Sequence, residues 1–291
     1  MPSLEPSADD PAVRFLIVAA PRTGSTHLRL LLHSHPAVCC HGEVFRAELG
    51  SLVGLNAHVP SPLQDRLAAA RAADPGGFLM ADVLYPGRMR AVGAKILYRT
   101  FALDQWRGLL ERVVAERELK IVHLVRRNRV KRFLSHFVYT QVTKRTLALS
   151  AAEVPNVGRV RVPVTELLAD LAAMEAEERR FRTMFSGQQT IEVGYEDVVA
   201  TGRPEVLDDV QRFLGVAPCV LESPAHKILS DRLCDVIENV AEIEAALRDT
   251  PHAWMLSEET TIPTEEGGTS WAREWRKRLT GDVPLVNRKA G

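Results

Sequence analysis

The sequence lacks the features that mark secreted or membrane-spanning proteins. It has four cysteines in 291 residues, none in a CxxC pair, and the adjacent Cys39 and Cys40 are poorly placed for a local disulfide. The longest apolar run near the N-terminus, FLIVAA, is too short to cross a bilayer. The first residues show no charged segment followed by an apolar core, so no signal peptide is predicted. A cytoplasmic protein with reduced thiols is therefore expected.

An excess of charge of one sign is also absent, because 37 Lys and Arg residues balance 37 Asp and Glu residues. The net charge therefore indicates no class of partner, and any preference for anions must come from local clustering of charge. The hydrophobic content of 46% and the charged content of 25% are typical of a globular protein. The length fits one large α/β domain better than two independent domains.

Apolar runs and segments with helical spacing alternate along the chain. Strands are predicted over 14–20, 91–98, 120–127 and 189–198. Helices are predicted over 25–35, 63–73, 102–118, 130–141, 164–185, 204–216 and 231–250. This alternation predicts an α/β fold, a P-loop NTPase-like three-layer sandwich with a central, mostly parallel sheet flanked by helices. Ligands of such sheets bind beyond the carboxyl ends of the strands.

The composition also predicts how the chain is organised. Residues 1–12 are rich in Pro, Ser and Asp and are predicted to form a mobile tail. Residues 13–291 are predicted to form a single domain. Within it, the segments 46–90 and 139–165 contain Gly and Pro breakers and are predicted to cover an acceptor pocket rather than to build the sheet.

The segment AAPRTGSTHLRLLLHSHP, which begins at Ala19, has the form of an anion-binding loop. Gly24 permits a tight turn, and the following amides and the helix dipole favour a bound anion. A triphosphate loop would read GxxxxGK[ST], but the alignment on Gly24 puts Ala19 at the first glycine and Ser25 at the lysine. The loop is therefore predicted to hold fewer phosphates without the usual metal ion. An ordinary Ser/Thr helix cap without a ligand is the alternative.

A second basic segment, LVRRNRVKRFLSHF, follows the strand predicted over 120–127. In an open sheet, the end of this strand lies beside the first loop. Arg127 at the strand end and Ser135 about two helical turns later are predicted to reach one phosphate. The alternative is a solvated basic face, which is the usual interpretation of a run of charges.

The motifs PRTGST and RNRVKRFLS, in this order and about 100 residues apart, resemble those of the PAPS-dependent sulfotransferases. PAPS is 3′-phosphoadenosine 5′-phosphosulfate. In that family P-[KR]-x-G-[ST]-T binds the 5′-phosphosulfate, and R-N-x6-S binds the 3′-phosphate. The similarity to the bacterial carbohydrate-type branch, which includes nodulation-factor and trehalose sulfotransferases, extends through the segments HPAVCCHGEVF, AVGAKILY, GYEDVV, VQRFLGV and VIENVAEIEAAL.

The resemblance implies a role for each matching residue. It places Arg22 at the catalytic contact with the 5′-phosphosulfate, Lys95 in the sulfonate pocket and Tyr195 on the adenine. A surface lysine at a strand end is the alternative for Lys95, and a core tyrosine is the alternative for Tyr195. The remaining implied donor-binding residues are Thr23, Gly24, Ser25, Thr26, His27, Arg127 and Ser135.

The catalytic base is the point at which the sequence departs from the animal cytosolic enzymes. Those enzymes read K-x-H after the second strand, whereas this sequence has Leu97 where the histidine would be. The carbohydrate branch uses a glutamate soon after the first helix, which implies Glu43 as the base. His41 is the alternative base, and a plain salt-bridge carboxylate is the alternative for Glu43. Packed or surface positions without a catalytic role are expected for His33, His35, His123 and His136, and no metal site is predicted.

The predicted function is transfer of a sulfonate group from PAPS to a hydroxyl acceptor, with release of adenosine 3′,5′-bisphosphate. The expected acceptor is a carbohydrate, a glycolipid or another small molecule such as a natural product. A second copy of the chain is a candidate partner, whereas no nucleic acid and no membrane span are expected. Two alternatives stay open, namely a P-loop kinase-like phosphotransferase and a non-catalytic nucleotide-binding scaffold.

Overall fold

A parallel β-sheet forms the centre of the described structure. The computed structural model describes residues 11–46, 52–56, 59–145, 147–199, 205–230 and 232–256. Its strands are β1 (Val13–Ala19), β2 (Val38–His41), β3 (Ala91–Leu97), β4 (Lys120–Val125) and β5 (Thr190–Gly194). Their order is β2-β3-β1-β4-β5, and every neighbouring pair is parallel. Most of the predicted tail, parts of both predicted covering segments and residues 257–291 lie outside the described ranges.

Helices connect the strands and cover the sheet. They are α1 (Ser25–Ser34), α2 (Ser61–Ala73), α3 (Pro75–Phe78), α4 (Leu109–Ala115), α5 (Arg129–Val138), α6 (Val164–Met184), α7 (Tyr195–Val198), α8 (Glu205–Phe213), α9 (Leu233–Val236) and α10 (Val240–Leu247). The predicted α/β fold with a mostly parallel sheet flanked by helices is confirmed.

Two predicted helices are shorter than expected. The helix predicted over 102–118 is restricted to α4, because Gly108 has a left-handed backbone with φ of 85° directly before it. The helix predicted over 231–250 is divided into α9 and α10. Ile237 between them is extended and forms a parallel bridge with Val160, so the chain leaves the helical path there.

The two faces of the sheet pack against different helices. Phe15, Ile17 and Ala19 of β1 belong to the core that α1 and α8 cover. The alternate residues Leu16 and Val18 belong to a second core on the opposite face, with side chains from α2, α3, α4 and α6. A third core joins α5 and α6 to α9 and α10. The sheet therefore lies between two helical layers.

The strand order places the carboxyl end of β1 at a switch point of the topology. The chain leaves β1 for β2 on one side of the sheet, whereas β4 and β5 lie on the other side of β1. Connections that diverge in this way leave a crevice outside the strand ends, where ligands of open α/β sheets bind. The loop that follows β1 occupies this position.

Candidate functional site

The loop between β1 and α1 has an unusual backbone. Arg22 and Gly24 both have positive φ, 68° and 81° respectively. The hydroxyl of Thr23 is buried and donates to the carbonyl oxygen of Ala20 at 2.8 Å, which fixes the loop from inside. Ser25 is the first residue of α1 and is also buried. The loop thus presents the N-terminus of a ten-residue helix at the carboxyl edge of the sheet.

Gly24 and Tyr195 are in direct contact across the mouth of the crevice. A Cβ atom on Gly24 would lie 2.3 Å from Cδ2 of Tyr195, so only glycine fits here. The guanidinium of Arg126 lies 4.5 Å from the centre of the Tyr195 ring and donates to the carbonyl oxygen of Arg22 at 3.2 Å. The loop, the end of β4 and the start of α7 therefore form one packed unit.

Lys95 connects the loop to Glu43. Its Nζ lies 2.9 Å from Oγ1 of Thr26 in the first turn of α1 and 2.7 Å from Oε1 of Glu43. Lys95 is buried, because its side chain extends from β3 on the sheet face that α1 covers. The register of β2 against β3 pairs His41 with Ala94, which brings the residues after β2 to the end of β3. The predicted surface alternative for Lys95 is wrong in this structure, since the side chain is only 6% exposed.

The charge state of this pair follows from its surroundings. Burial alone would raise the pKa of Glu43, but the ammonium of Lys95, with Arg99 and Arg46, holds the pKa below its ordinary value. Burial lowers the pKa of Lys95, and Glu43 opposes this effect. At neutral pH the carboxylate of Glu43 is therefore ionised and faces a cation.

The ends of β4 and β5 lie side by side, because Val125 pairs with Gly194. The side chain of Arg127 at this edge is 52% exposed and forms an ion pair with Asp197. Its Nε lies 3.6 Å from Oε2 of Glu196, and its backbone N–H donates to the same oxygen at 3.2 Å. A predicted phosphate ligand is thus held by carboxylates in this structure.

Ser135 joins the two sequence motifs. The Nε of Arg22 donates to the hydroxyl of Ser135 at 3.1 Å, across 113 residues of chain. The guanidinium of Arg22 also lies 5.4 Å from the centre of the Tyr139 ring, just beyond α5. The two motifs that were predicted to act together are therefore in contact, whereas Arg127 points to a neighbouring part of the edge where β5 ends.

The histidines of the site are poorly suited to proton transfer. His27 lies 3.0 Å from the hydroxyl of Ser223 through its Nδ1, and burial lowers its pKa to about 4. His41 is fully buried, accepts the N–H of Asn56 at 3.2 Å, and has its pKa lowered to about 3 by burial. Among the other histidines, His35 and His123 are buried.

Asn128 and Arg126 belong to the site region, and both lie in the second basic segment, but neither is among the predicted site residues. The side chain of Asn128 accepts the N–H of Lys131 at 2.9 Å and so caps α5, and it donates to the carbonyl oxygen of Met255 at 2.7 Å. The known preference of asparagine for helix caps could have predicted the first contact. The contact of Arg126 with Tyr195 follows only from the pairing of β4 with β5.

Metal clusters and membrane-spanning helices are both absent from the described part of the chain. No group of three or more His, Cys, Asp or Glu side chains there is arranged to hold a metal ion. No helix in those ranges is long and apolar enough to cross a membrane.

Comparison with solved structures finds bacterial sulfotransferases. A sulfotransferase from Alicyclobacillus acidocaldarius is 20% identical, with 84% of this chain and 99% of that chain covered and a TM-score of 0.44. The sulfotransferase domain from the curacin biosynthetic pathway is 16% identical over 94% of this chain and 99% of that chain, with a TM-score of 0.46. The sulfotransferase domain from the Synechococcus PCC 7002 olefin synthase is 16% identical over 96% of this chain and 98% of that chain, with a TM-score of 0.45.

Comparison of the sequence with protein-family models finds a sulfotransferase family. No curated protein matches the chain. The model of a family described as "Sulfotransferase family" matches residues 14–81, which include β1, the first loop, α1 and Glu43. The carbohydrate-type branch stays a prediction. The match confirms the predicted resemblance of this chain to the sulfotransferases, on the segment that carries the first loop.

Proposed function

We propose that this protein is a PAPS-dependent sulfotransferase that sulfonates a hydroxyl group of a carbohydrate, a glycolipid or another small molecule. The observation that carries the proposal is the position of Lys95. Its Nζ lies between Thr26 of the anion-binding loop, at 2.9 Å, and the carboxylate of Glu43, at 2.7 Å. A cation at this point would contact both the leaving phosphate of a donor bound in the loop and a candidate base.

The residues present suit the donor. The loop amides after Gly24, the hydroxyls of Ser25 and Thr26 and the guanidinium of Arg22 are donors for a phosphosulfate at a helix N-terminus. The hydroxyl of Ser135, the implied ligand of the 3′-phosphate, is 3.1 Å from Nε of Arg22, so the contacts implied for the two phosphate groups adjoin each other. Arg127 would hold the 3′-phosphate after exchanging its ion pair with Asp197. Tyr195 offers an aromatic ring beside the loop for the adenine.

The transfer itself requires one bond to form and one to break. The acceptor oxygen attacks the sulfur, its proton passes to the carboxylate of Glu43, and the bond from sulfur to the phosphate oxygen breaks. Adenosine 3′,5′-bisphosphate leaves with the bonding electrons. Arg22 and Lys95 stabilise the negative charge that develops on the leaving oxygen. Positioning and charge stabilisation account for most of the catalysis in related phosphoryl transfers.

The low basicity of Glu43 is compatible with this role. Its ion pair with Lys95 keeps it ionised, which is a condition for accepting a proton, but also weakens it as a base. In a loose transition state, most of the leaving-group bond is broken before the acceptor proton is lost. A weak but well-positioned carboxylate is then sufficient. His41 is the poorer candidate, because it is fully buried and accepts a backbone N–H.

Calorimetry separates the proposed function from its two alternatives. The pure protein is titrated with adenosine 3′,5′-bisphosphate and, separately, with ATP and magnesium. A sulfotransferase binds the bisphosphate more tightly, whereas preference for ATP and magnesium would establish the kinase-like alternative. Tight bisphosphate binding without turnover of PAPS on a panel of hydroxyl acceptors would favour the non-catalytic scaffold.

The substitution Glu43→Gln tests the base. It removes the carboxylate but keeps the size of the side chain, so bisphosphate binding is expected to persist while turnover falls by about 10²–10⁴-fold. Glu192→Gln is a matched control, since Glu192 is similarly exposed and also pairs with a basic side chain, Arg182. Full activity of Glu43→Gln would exclude Glu43 as the base.

A further inference from the structure

The segment 52–56 lies directly against the main chain of Glu43. The N–H of Gly42 donates to the carbonyl oxygen of Gly54 at 2.6 Å. A Cβ atom on Gly54 would lie 2.6 Å from the carbonyl carbon of Glu43 and 2.7 Å from the nitrogen of Val44. The two stretches of backbone thus touch without any side chain between them. Because of this close approach and the hydrogen bond from Gly42, the position of 52–56 restricts where the peptide of Glu43 can lie.

The side chain of Asn56 anchors this segment to the end of β2. Asn56 is buried, and its Nδ2 donates to the carbonyl oxygen of Cys40 at 2.6 Å. Its backbone N–H donates to Nδ1 of His41 at 3.2 Å. Its Oδ1 accepts from Nη1 of Arg29 at 2.8 Å. Asn56 therefore holds the two residues that come shortly before Glu43 and is itself held from α1.

Arg29 extends this network to the anion-binding loop. It is buried and lies three residues after Thr26, so the two residues share a face of α1. The Nη1 of Arg29 also donates to the carbonyl oxygen of Cys40 at 3.2 Å. Helix α1 thus contacts Lys95 through Thr26, and it contacts Asn56 and the backbone of Cys40 through Arg29. Hydrogen bonds from a charged donor in a buried site are strong, so this network favours one fixed arrangement of the residues it joins.

We infer that Asn56 and Arg29 are positioning residues, which fix the carboxylate of Glu43 relative to Lys95 and the anion-binding loop. This inference rests on the proposed function. Both side chains donate to the carbonyl oxygen of Cys40, and neither forms a hydrogen bond or an ion pair with Glu43 in the described structure, so each acts through the backbone around Cys40 and Gly42. The loss of either anchor would let the Glu43 peptide move while leaving the loop that binds the donor intact.

A structural consequence distinguishes this role from a general contribution to stability. The charged groups that act on Glu43 are Lys95, Arg99 and Arg46, and burial opposes them. If the Glu43 peptide is freed, its carboxylate moves away from Lys95, and the pKa of Glu43 returns toward the ordinary carboxyl range. A merely destabilised protein would show a lower melting temperature but an unchanged pKa of Glu43 in its folded fraction.

The substitution Asn56→Ala is the test, and Gln64→Ala is the matched control. Gln64 on α2 also donates a side-chain amide to a backbone carbonyl, that of Val59, at 2.6 Å. The midpoint of Glu43 is measured by NMR of carboxyl-labelled glutamate, with the resonance assigned from Glu43→Gln. Asn56→Ala is expected to move this midpoint upward and to lower kcat by at least about tenfold, with little change in donor KM or in bisphosphate affinity. Gln64→Ala is expected to leave all four quantities unchanged.

The outcomes that overturn the inference are distinct from a failure of the proposed function. An unmoved Glu43 midpoint or an unchanged kcat in Asn56→Ala overturns it. Absence of turnover in the unaltered protein would refute the proposed function, but the NMR titration would still decide whether Asn56 positions Glu43. If Asn56→Ala does not fold, Arg29→Lys replaces it, because lysine keeps the charge but not the planar fork of donors. The same upward movement of the midpoint is then expected, and its absence counts against the inference.

Discussion

Replacing Gly24 with alanine would perturb the first loop in two ways that the structure separates. The first is backbone strain, because Gly24 has φ of 81°, where a residue with a Cβ atom costs about 1–2 kcal/mol. The second is steric overlap, because the new Cβ would lie 2.3 Å and 2.5 Å from Cδ2 and Cε2 of Tyr195. Forcing an extra carbon into a packed contact costs about 1–3 kcal/mol. The two effects together predict a loss of about 2–5 kcal/mol in the free energy of unfolding.

Gly108 provides the matched control for the first effect alone. Its φ is 85°, nearly the same as that of Gly24, but no atom lies within 4 Å of a Cβ built on it. Gly108→Ala is therefore expected to lose only about 1–2 kcal/mol. Both substitutions reduce the entropy of the unfolded chain equally, so this contribution cancels in the comparison. The difference between the two variants measures the contact between Gly24 and Tyr195.

In the proposed function, the same contact connects stability to donor binding. When the ring of Tyr195 moves, the guanidinium of Arg126 stacked on it at 4.5 Å must move as well, and with it the hydrogen bond to the carbonyl oxygen of Arg22. Gly24→Ala is therefore expected to weaken the binding of adenosine 3′,5′-bisphosphate by at least about tenfold, whereas Gly108→Ala leaves it unchanged. Equilibrium urea unfolding and isothermal calorimetry measure the two effects.

Two results would refute this reasoning. Equal losses of unfolding free energy in Gly24→Ala and Gly108→Ala would show that Tyr195 does not restrict the loop. Full bisphosphate affinity in Gly24→Ala would show that the loop, Tyr195 and Arg126 do not act as one unit in donor binding.

Three further predictions follow from the charges and the burial of the site. Since the pKa of Glu43 is depressed, the stability from its ion pair with Lys95 is complete above the ordinary carboxyl pKa of about 4.3 and is lost only as pH falls through the lower folded value. The value of kcat should likewise stay constant as pH falls to the ordinary carboxyl range. A decline of kcat that begins above pH 6 would contradict this prediction. In the proposed function Arg127 holds the 3′-phosphate, and Asp197 competes for it through an exposed ion pair of about 0.2–1 kcal/mol. Asp197→Asn is therefore expected to strengthen bisphosphate binding by about 1.5- to 5-fold. Calorimetry that shows weaker binding would mean that Asp197 orients Arg127 instead. Burial raises the pKa of Cys39 to about 12, so its thiol should react with an aromatic disulfide reagent only after unfolding. Mass spectrometry locates the labelled cysteine. Rapid labelling of Cys39 in the folded protein would contradict the structure.

Several features of the site could be predicted because they depend on neighbouring residues in the chain. The apolar run before Ala19, the glycine at the turn and the helical spacing after Ser25 together predict β1, the loop and α1. The breaks in two predicted helices could not be foreseen in the same way. The extended conformation of Ile237 results from its pairing with Val160, a residue 77 positions away.

The sequence by itself determined the class of fold and the chemical character of the two motifs, because periodicity and turn chemistry are local properties of the chain. Only the tertiary structure decided which of the predicted residues meet. The strand order brings the end of β2 to Lys95 and the end of β4 to the start of α7, so that Glu43 gains a cation whereas Arg127 gains carboxylates. Both contacts join residues more than 50 positions apart. No local pattern encodes the distance between two such side chains, since that distance depends on how the strands are ordered in the sheet.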